Sequence, residues 1–169
     1  MGLFDDLFKK EEKVELSELN VSDSDIVAIA DGELIDIVTI NDPVFSSESL
    51  GRSVAFKYEG KVVLCAPANG TLSVLFPTGH AYAITTKEGV EVLVHCGIET
   101  VNAKGDGFRL LGKKQGDTVK AGDPIVEVDF DKLSQTYDMS TMLIITDAKG
   151  KEINFIEPQT VSRGQTLLR

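Results

Sequence analysis

His80-Ala81-Tyr82-Ala83-Ile84-Thr85-Thr86-Lys87-Glu88-Gly89-Val90-Glu91-Val92-Leu93-Val94-His95 decides how this chain folds. Two short runs rich in β-branched residues flank a polar break that ends in glycine, which is the pattern of a β-hairpin. The only two histidines of the chain stand at its two ends. A loop centred on Lys87-Glu88 makes His80 oppose His95 across the ladder, with Cβ atoms about 4.5–5.5 Å apart. A loop centred on Glu88-Gly89 places the two on a diagonal. In either register the imidazoles become neighbours. Alternation then puts Tyr82, Ile84 and Leu93 on the histidine face, and Ala81, Ala83, Val92, Val94 and Cys96 on the other. A sheet that is apolar on both faces is buried twice or presents a patch to a partner. The histidines therefore read as chemistry set into a docking surface.

Outward from the hairpin, the chain is a series of short strands punctuated by Gly, Asn and Asp. Strands are expected over residues 26–29, 33–40, 54–58, 61–65 and 71–76, and later over 118–119, 125–128, 142–146 and 160–161. Residues 129–137 hold one or two helical turns. This spacing predicts an all-β fold, an antiparallel β-sandwich/barrel of the barrel-sandwich hybrid type with short helical turns. Ala30-Asp31-Gly32-Glu33-Leu34 and Ala68-Asn69-Gly70-Thr71-Leu72 echo one another, each entering a strand. The echo suggests two similar β units packed face to face.

A chain of 169 residues with 42% hydrophobic and 26% charged residues reads as one soluble globular domain. Its net charge of −10 argues against a nucleic-acid partner. Residues 1–24 are expected to form a tail. Met1-Gly2-Leu3-Phe4-Asp5-Asp6-Leu7-Phe8-Lys9-Lys10 aligns Leu3, Phe4, Leu7 and Phe8 on one helical stripe, which permits a weak peripheral membrane contact; residues 11–24 read as a linker. Residues 25–169 form the β domain. Cys65 and Cys96 sit in strand-like stretches without CxxC spacing, as reduced core thiols of a cytoplasmic protein do. No run approaches the length of a membrane span, and no secretory signal pattern is present.

Two imidazoles in an apolar surround suit phosphoryl transfer. A neutral imidazole nitrogen is nucleophilic and can carry the phosphoryl group covalently, while a second imidazole hydrogen-bonds its oxygens. Thr78, two residues before His80, can fix that ring's tautomer, and the backbone of Gly97 and Ile98 can serve the ring of His95 or a phosphate. Zinc is the other candidate, with Cys96, Glu99 or Glu91 as further ligands. Cys96, however, alternates away from His95, and no HExxH or HxH pattern exists. Nucleotide-binding glycine motifs are absent.

Gly89-Val90-Glu91-Val92-Leu93-Val94-His95-Cys96-Gly97-Ile98-Glu99-Thr100-Val101, followed by Lys104-Gly105-Asp106-Gly107-Phe108, resembles the active-site signature of glucose-family enzyme IIA. These proteins are components of the bacterial phosphoenolpyruvate-dependent sugar phosphotransferase system. Thr78-Gly79-His80-Ala81-Tyr82 resembles the family's segment around its supporting histidine. Ala66-Pro67-Ala68-Asn69-Gly70-Thr71, Pro43-Val44-Phe45, the turn at 116–123 and the start Met1-Gly2-Leu3-Phe4-Asp5 are similar too. The likeness covers nearly the whole chain.

The resemblance implies a β-sandwich phosphocarrier. His95 would accept the phosphoryl group from the carrier protein HPr and pass it to a cysteine of a IIB domain of a sugar permease. His80 would stabilise the phosphohistidine, with Thr78 supporting His80. Phe45, Phe76, Leu93, Val101 and Glu99 would belong to the docking patch. Family members also bind regulatory target proteins, in some cases through a zinc ion held by both histidines, here His80 and His95, and shared with the partner. No cofactor is otherwise implied. The chain departs from the family where Gly51-Arg52-Ser53 replaces Gly-Asp-Gly, where Cys96 replaces a bulkier apolar residue, where Leu93 replaces an aromatic, and where Glu99 replaces Asp. The alternatives are a zinc-dependent hydrolase, which needs a third ligand, and a regulatory module that binds partners without transferring phosphate.

Overall fold

Short strands build this protein: β-branched and apolar runs whose successive side chains point to opposite faces, with the central ones buried on both sides. A computed structural model describes residues 14–169 of the chain. The expected helix at residues 2–10 lies outside the described residues. The strands are β1 (Gly32–Ile35), β2 (Arg52–Lys57), β3 (Lys61–Cys65), β4 (Gly70–Leu75), β5 (Ala81–Thr85) and β6 (Glu91–Cys96) in the first half. The second half adds β7 (Phe108–Leu110), β8 (Thr118–Val119), β9 (Pro124–Asp129), β10 (Thr141–Asp147) and β11 (Gln159–Val161). Two single helical turns, α1 (Pro43–Ser46) and α2 (Phe130–Leu133), and two 3-10 turns, Ile37–Thr39 and Thr100–Ala103, complete the set.

All strand pairs are antiparallel. Eight strands form one sheet in the order β11-β1-β2-β10-β6-β5-β4-β8, and three form a second, β3-β9-β7. The expected antiparallel sandwich is the fold, with neither sheet closed into a barrel. Phe56, Leu64, Leu72, Tyr82, Val94, Ile125, Val128 and Leu143 meet in its core. Cys65 and Cys96 are free and buried.

A second, smaller cluster lies on the outer face of the large sheet. Ala55, Met142 and Ile144 project from β2 and β10 and are covered by Ile37, Ile40 and Phe45. The run at 33–40 was expected as one strand; it stops at Ile35 because the Asp36 side chain accepts from Val38 N–H and turns the chain into the 3-10 segment. Ile37 and Ile40 then reach back onto the sheet. Residues 26–29 likewise form a single bridge, Val27 to Thr166, rather than a strand.

The hairpin register differs from both expected registers by one residue. Ala81 pairs with His95 and Thr85 with Glu91. The loop is the three residues Lys87-Glu88-Gly89, closed by Gly89 N–H on the Thr86 carbonyl at 2.9 Å and Thr86 N–H on the Val90 carbonyl at 2.9 Å. Gly89 at φ 87° takes the left-handed conformation that such three-residue loops require. A one-residue slip exchanges the faces of one strand. Tyr82 and Ile84 therefore point into the core with Val92 and Val94, correcting their expected place beside the histidines, and Ala81 and Ala83 take the outer face with Leu93 and His95.

The A-x-G-x-L echo is structural. Ala28 N–H donates to Gln165 O at 2.8 Å, and Ala66 N–H to Asp123 O at 2.9 Å. Asp31 Oδ1 accepts from Arg163 N–H at 2.7 Å, and Asn69 Oδ1 from Ala121 N–H at 2.8 Å. β11 pairs with β1 as β8 pairs with β4. The two units lie at opposite ends of one sheet instead of in two facing sheets. Val27 N–H to Pro67 O and Cys65 N–H to Ile29 O bring the segments ahead of β1 and β3–β4 together.

Candidate active site

His95 stands on the outer face of β6, half-buried, one residue before the chain leaves the sheet. Its Nδ1 lies 2.8 Å from the Gly97 carbonyl oxygen. A carbonyl only accepts, so Nδ1 carries the proton and Nε2 keeps its lone pair. Phe45 tilts against the imidazole with ring centroids 5.2 Å apart. Asp42 and Pro43 put it there: Asp42 accepts from Val44 N–H and Pro43 opens α1, a capping pattern that turns the chain over the sheet.

His80 follows a tight turn in which Gly79 N–H donates to Phe76 O at 2.8 Å, and it precedes the first residue of β5. Its carbonyl accepts from Cys96 N–H at 2.7 Å, which ties it to the strand carrying His95. The Thr78 hydroxyl is 2.5 Å from His80 Nδ1. The two imidazole centroids lie 5.4 Å apart, nearly perpendicular, and Phe76 sits 5.0 Å from His80 on the other side. The two rings are neighbours, as the spacing of the sequence leads one to expect, although His80 is reached from a bend rather than from an opposed ladder position.

Burial holds both imidazoles below the ordinary histidine value, because it disfavours the imidazolium form. For His80 the neighbouring His95 acts in the same direction. For His95 the Gly97 carbonyl and, more weakly, the Asp42 carboxylate act in the opposite direction. At neutral pH both rings are neutral and His95 Nε2 is available as a nucleophile.

An apolar rim surrounds the pair. Phe76 and Val101 are about half exposed, as is Val44 on α1, and Val38 on the 3-10 turn beside it is more exposed still. Phe45 and Leu93 lie deeper: Phe45 is buried against His95 and Leu93 packs with the outer cluster. Glu99 is exposed in the left-handed conformation at φ 59°. Val38 and Asp42 were missed by sequence reasoning, and Val44 entered it only within the stretch Pro43-Val44-Phe45; the Asp-Pro pair ahead of Val44 was the available signal. Arg52 is exposed at the start of β2 and pairs with Glu48 four residues earlier, so it does not enter the site. Cys96 turns its thiol inward, where burial pushes it up to about 12 and the Thr141 hydroxyl points at it. Among the described residues no cluster of three His, Cys, Asp or Glu side chains forms, so the histidine pair supplies two donors to a metal and no third.

A family model for the phosphoenolpyruvate-dependent sugar phosphotransferase system, EIIA 1, matches residues 24–151. The PTS system glucose-specific EIIA component of Haemophilus influenzae is 37% identical over 150 residues, covering 87% of this chain and 84% of that protein. The PTS system glucose-specific EIICBA component of Staphylococcus carnosus is 35% identical over 139 residues. That match covers 81% of this chain and 20% of the longer protein, so the chain spans a fifth of such fused relatives. Among solved structures, glucose permease IIA from Mycoplasma capricolum superimposes with a TM-score of 0.79 at 32% identity, over 85% of this chain and 93% of that one.

Proposed function

This chain belongs to the EIIA 1 family of the phosphoenolpyruvate-dependent sugar phosphotransferase system and is a phosphocarrier, and from that premise we propose that His95 Nε2 is the atom that carries the phosphoryl group. The observation behind the assignment is the Gly97 carbonyl on Nδ1, which leaves Nε2 as the nucleophile. The donor is phospho-HPr. As the Nε2–P bond forms, the P–N bond to the donor's imidazole breaks, and that imidazole leaves neutral with the proton it already holds. The onward step repeats this displacement, with a thiolate of a IIB domain attacking phosphorus and His95 returning to its neutral form.

His80 holds the phosphoryl oxygens. With the Thr78 hydroxyl donating to His80 Nδ1, the proton of that ring sits on Nε2 and serves as a donor beside His95. Phe76, Val101, Val38 and Val44 form the surface on which both protein partners dock, with Phe45 and Leu93 supporting it from beneath and Glu99 at its edge. Apolar docking excludes water from the phosphoryl group, which would otherwise be hydrolysed. Regulatory partners would use the same face, and a zinc ion shared between partners would take two ligands from His80 and His95 and the rest from the partner. We place the protein in the cytoplasm, with the tail as a weak membrane contact; among the described residues no helix is long and apolar enough to cross a membrane.

Labelled phosphoenolpyruvate with purified enzyme I and HPr tests the assignment. Wild type is expected to gain acid-labile phosphate, and His95→Ala none. His80→Gln is expected to accept phosphate yet donate it to a IIB domain at least about tenfold more slowly, the scale of losing a charge-assisted hydrogen bond. Phosphate on His95→Ala, or full onward transfer by His80→Gln, would reject these roles.

A further inference from the structure

The proton on His95 Nδ1 is fixed by one carbonyl oxygen, so whatever fixes that carbonyl sets which nitrogen reacts. Gly97 is held on both sides. In the peptide plane before it, N–H donates to Ser140 O at 3.0 Å, and the Cys96 carbonyl accepts from Thr100 Oγ1–H at 2.5 Å. In the plane after it, Ile98 N–H donates to Asp138 O at 2.9 Å. The remaining polar atom of that plane is the Gly97 oxygen, and it faces His95. Thr100 also bounds Gly97 sterically, for a Cβ added there would lie 2.4 Å from Thr100 Cγ2. Gly97 adopts φ 80°, a conformation open to glycine and costly for other residues. The Met139 sulfur borders Gly97 as well, 2.9 Å from such a Cβ, but among the hydrogen bonds that hold the two planes Thr100 alone acts through its side chain, and it is fully buried.

We propose that Thr100 is a positioning residue for His95: its hydroxyl on the Cys96 carbonyl and its methyl against Gly97 hold the Gly97 oxygen on Nδ1 and so keep Nε2 unprotonated and nucleophilic. Thr100 touches neither the phosphoryl group nor the imidazole. It acts through the backbone, and the inference rests on the reading of His95 as acceptor. Were the Cys96 carbonyl released, the plane before Gly97 would keep only its Ser140 contact; Gly97 could then shift its oxygen off Nδ1, and the His95 proton would distribute further between the two nitrogens, as in a free imidazole.

Two variants separate positioning from folding. Thr100→Val keeps the shape and removes the donor; Thr100→Ser keeps the donor and removes the methyl. Nitrogen-15 shifts of the His95 ring report the tautomer without any transfer taking place. Wild type and Thr100→Ser are expected to show one tautomer, protonated at Nδ1, whereas Thr100→Val shows a mixture. Phosphoryl acceptance from phospho-HPr is expected to fall about tenfold in Thr100→Val and to stay within about threefold in Thr100→Ser, the scale of one buried hydrogen bond. A single Nδ1–H tautomer in Thr100→Val would overturn the inference, and so would equal losses in both variants accompanied by equal losses of melting temperature. Should wild type itself take no phosphate, the acceptor role of His95 falls, while the ring shifts still decide the role of Thr100.

Discussion

His95 and His80 share one physical problem, which is to remain neutral in a crowded site. Burial disfavours the imidazolium of each, and His95 reinforces this for His80. Both groups therefore titrate lower in the folded protein than in the unfolded chain, where the ordinary value is about 6.5. The unfolded chain then binds more protons over that interval. The stability these groups contribute is present above about pH 6.5 and is lost as pH falls through their folded-state values. Two outcomes are expected. Imidazole Cε1–H resonances of both residues titrate with midpoints below 6.5, and phosphoryl acceptance stays level as pH falls to about 6.5 before declining. Midpoints above 6.5 would mean that the Gly97 carbonyl and Asp42 outweigh burial at His95. This balance lay outside the sequence reading. The spacing of the two histidines was plain in the chain, whereas the carboxylate of Asp42, more than fifty positions before His95, comes near only because α1 folds over the sheet.

At the scale of elements, α1 is the piece that encloses His95, and Phe45 is its working side chain. The ring is buried over Ala55, Met142 and Ile144 and tilts against the imidazole. Phe45→Ala removes a buried aromatic and is expected to cost about 3 kcal/mol. In a chain of this length that lowers the melting temperature by roughly 6–12 °C. It also admits water to His95, so the His95 midpoint should rise towards its ordinary value; Phe45→Leu, which keeps most of the volume, should change both readings less. A Phe45→Ala protein with an unmoved His95 midpoint would show that the ring does not supply the burial. β6 was legible in the sequence because its strict alternation sends one face to the core, and β10 because its unbroken apolar run 142–145 is buried on both faces. The hairpin loop was not. Lys87-Glu88-Gly89 takes one residue more than the two-residue loop counted from the sequence, and that residue alone moves Tyr82 and Ile84 into the core. The stretch at 33–40 misled for a related reason: its apolar residues serve two surfaces, Leu34 the inner core and Ile37 and Ile40 the outer cluster.

Across the whole molecule, the two A-x-G-x-L units close the ends of the large sheet against each other, and the segment read as a linker lies over their junction. Leu19 is half-buried there, and a Cβ on either Gly122 or Gly164, the matching turn glycines of the two units, would fall within 2.5–2.6 Å of Leu19 Cδ1. Arg163 fastens the segment by donating to Ser17 O at 2.9 Å and to Gly122 O at 2.7 Å, and Asn69 donates to Val21 O at 2.8 Å. These residues therefore act as a strap across the repeat, and the strap and the turn should be energetically coupled. Leu19→Ala is expected to cost about 1 kcal/mol, half the burial value of a leucine, and roughly 3 °C in melting temperature. Gly122→Ala costs more, since it adds a clash with Leu19 to the strain of an L-residue at φ 91°. In the Leu19→Ala background the clash with Leu19 disappears, leaving the backbone strain and the close approach to Arg163 Nη2 at 3.0 Å. A double-mutant cycle by chemical denaturation should then give a double variant more stable than the sum of the two single losses predicts, by about 0.5 kcal/mol or more. Strictly additive losses would mean that Leu19 and Gly122 are not packed together in solution, and that the strap is held by Arg163 and Asn69 alone.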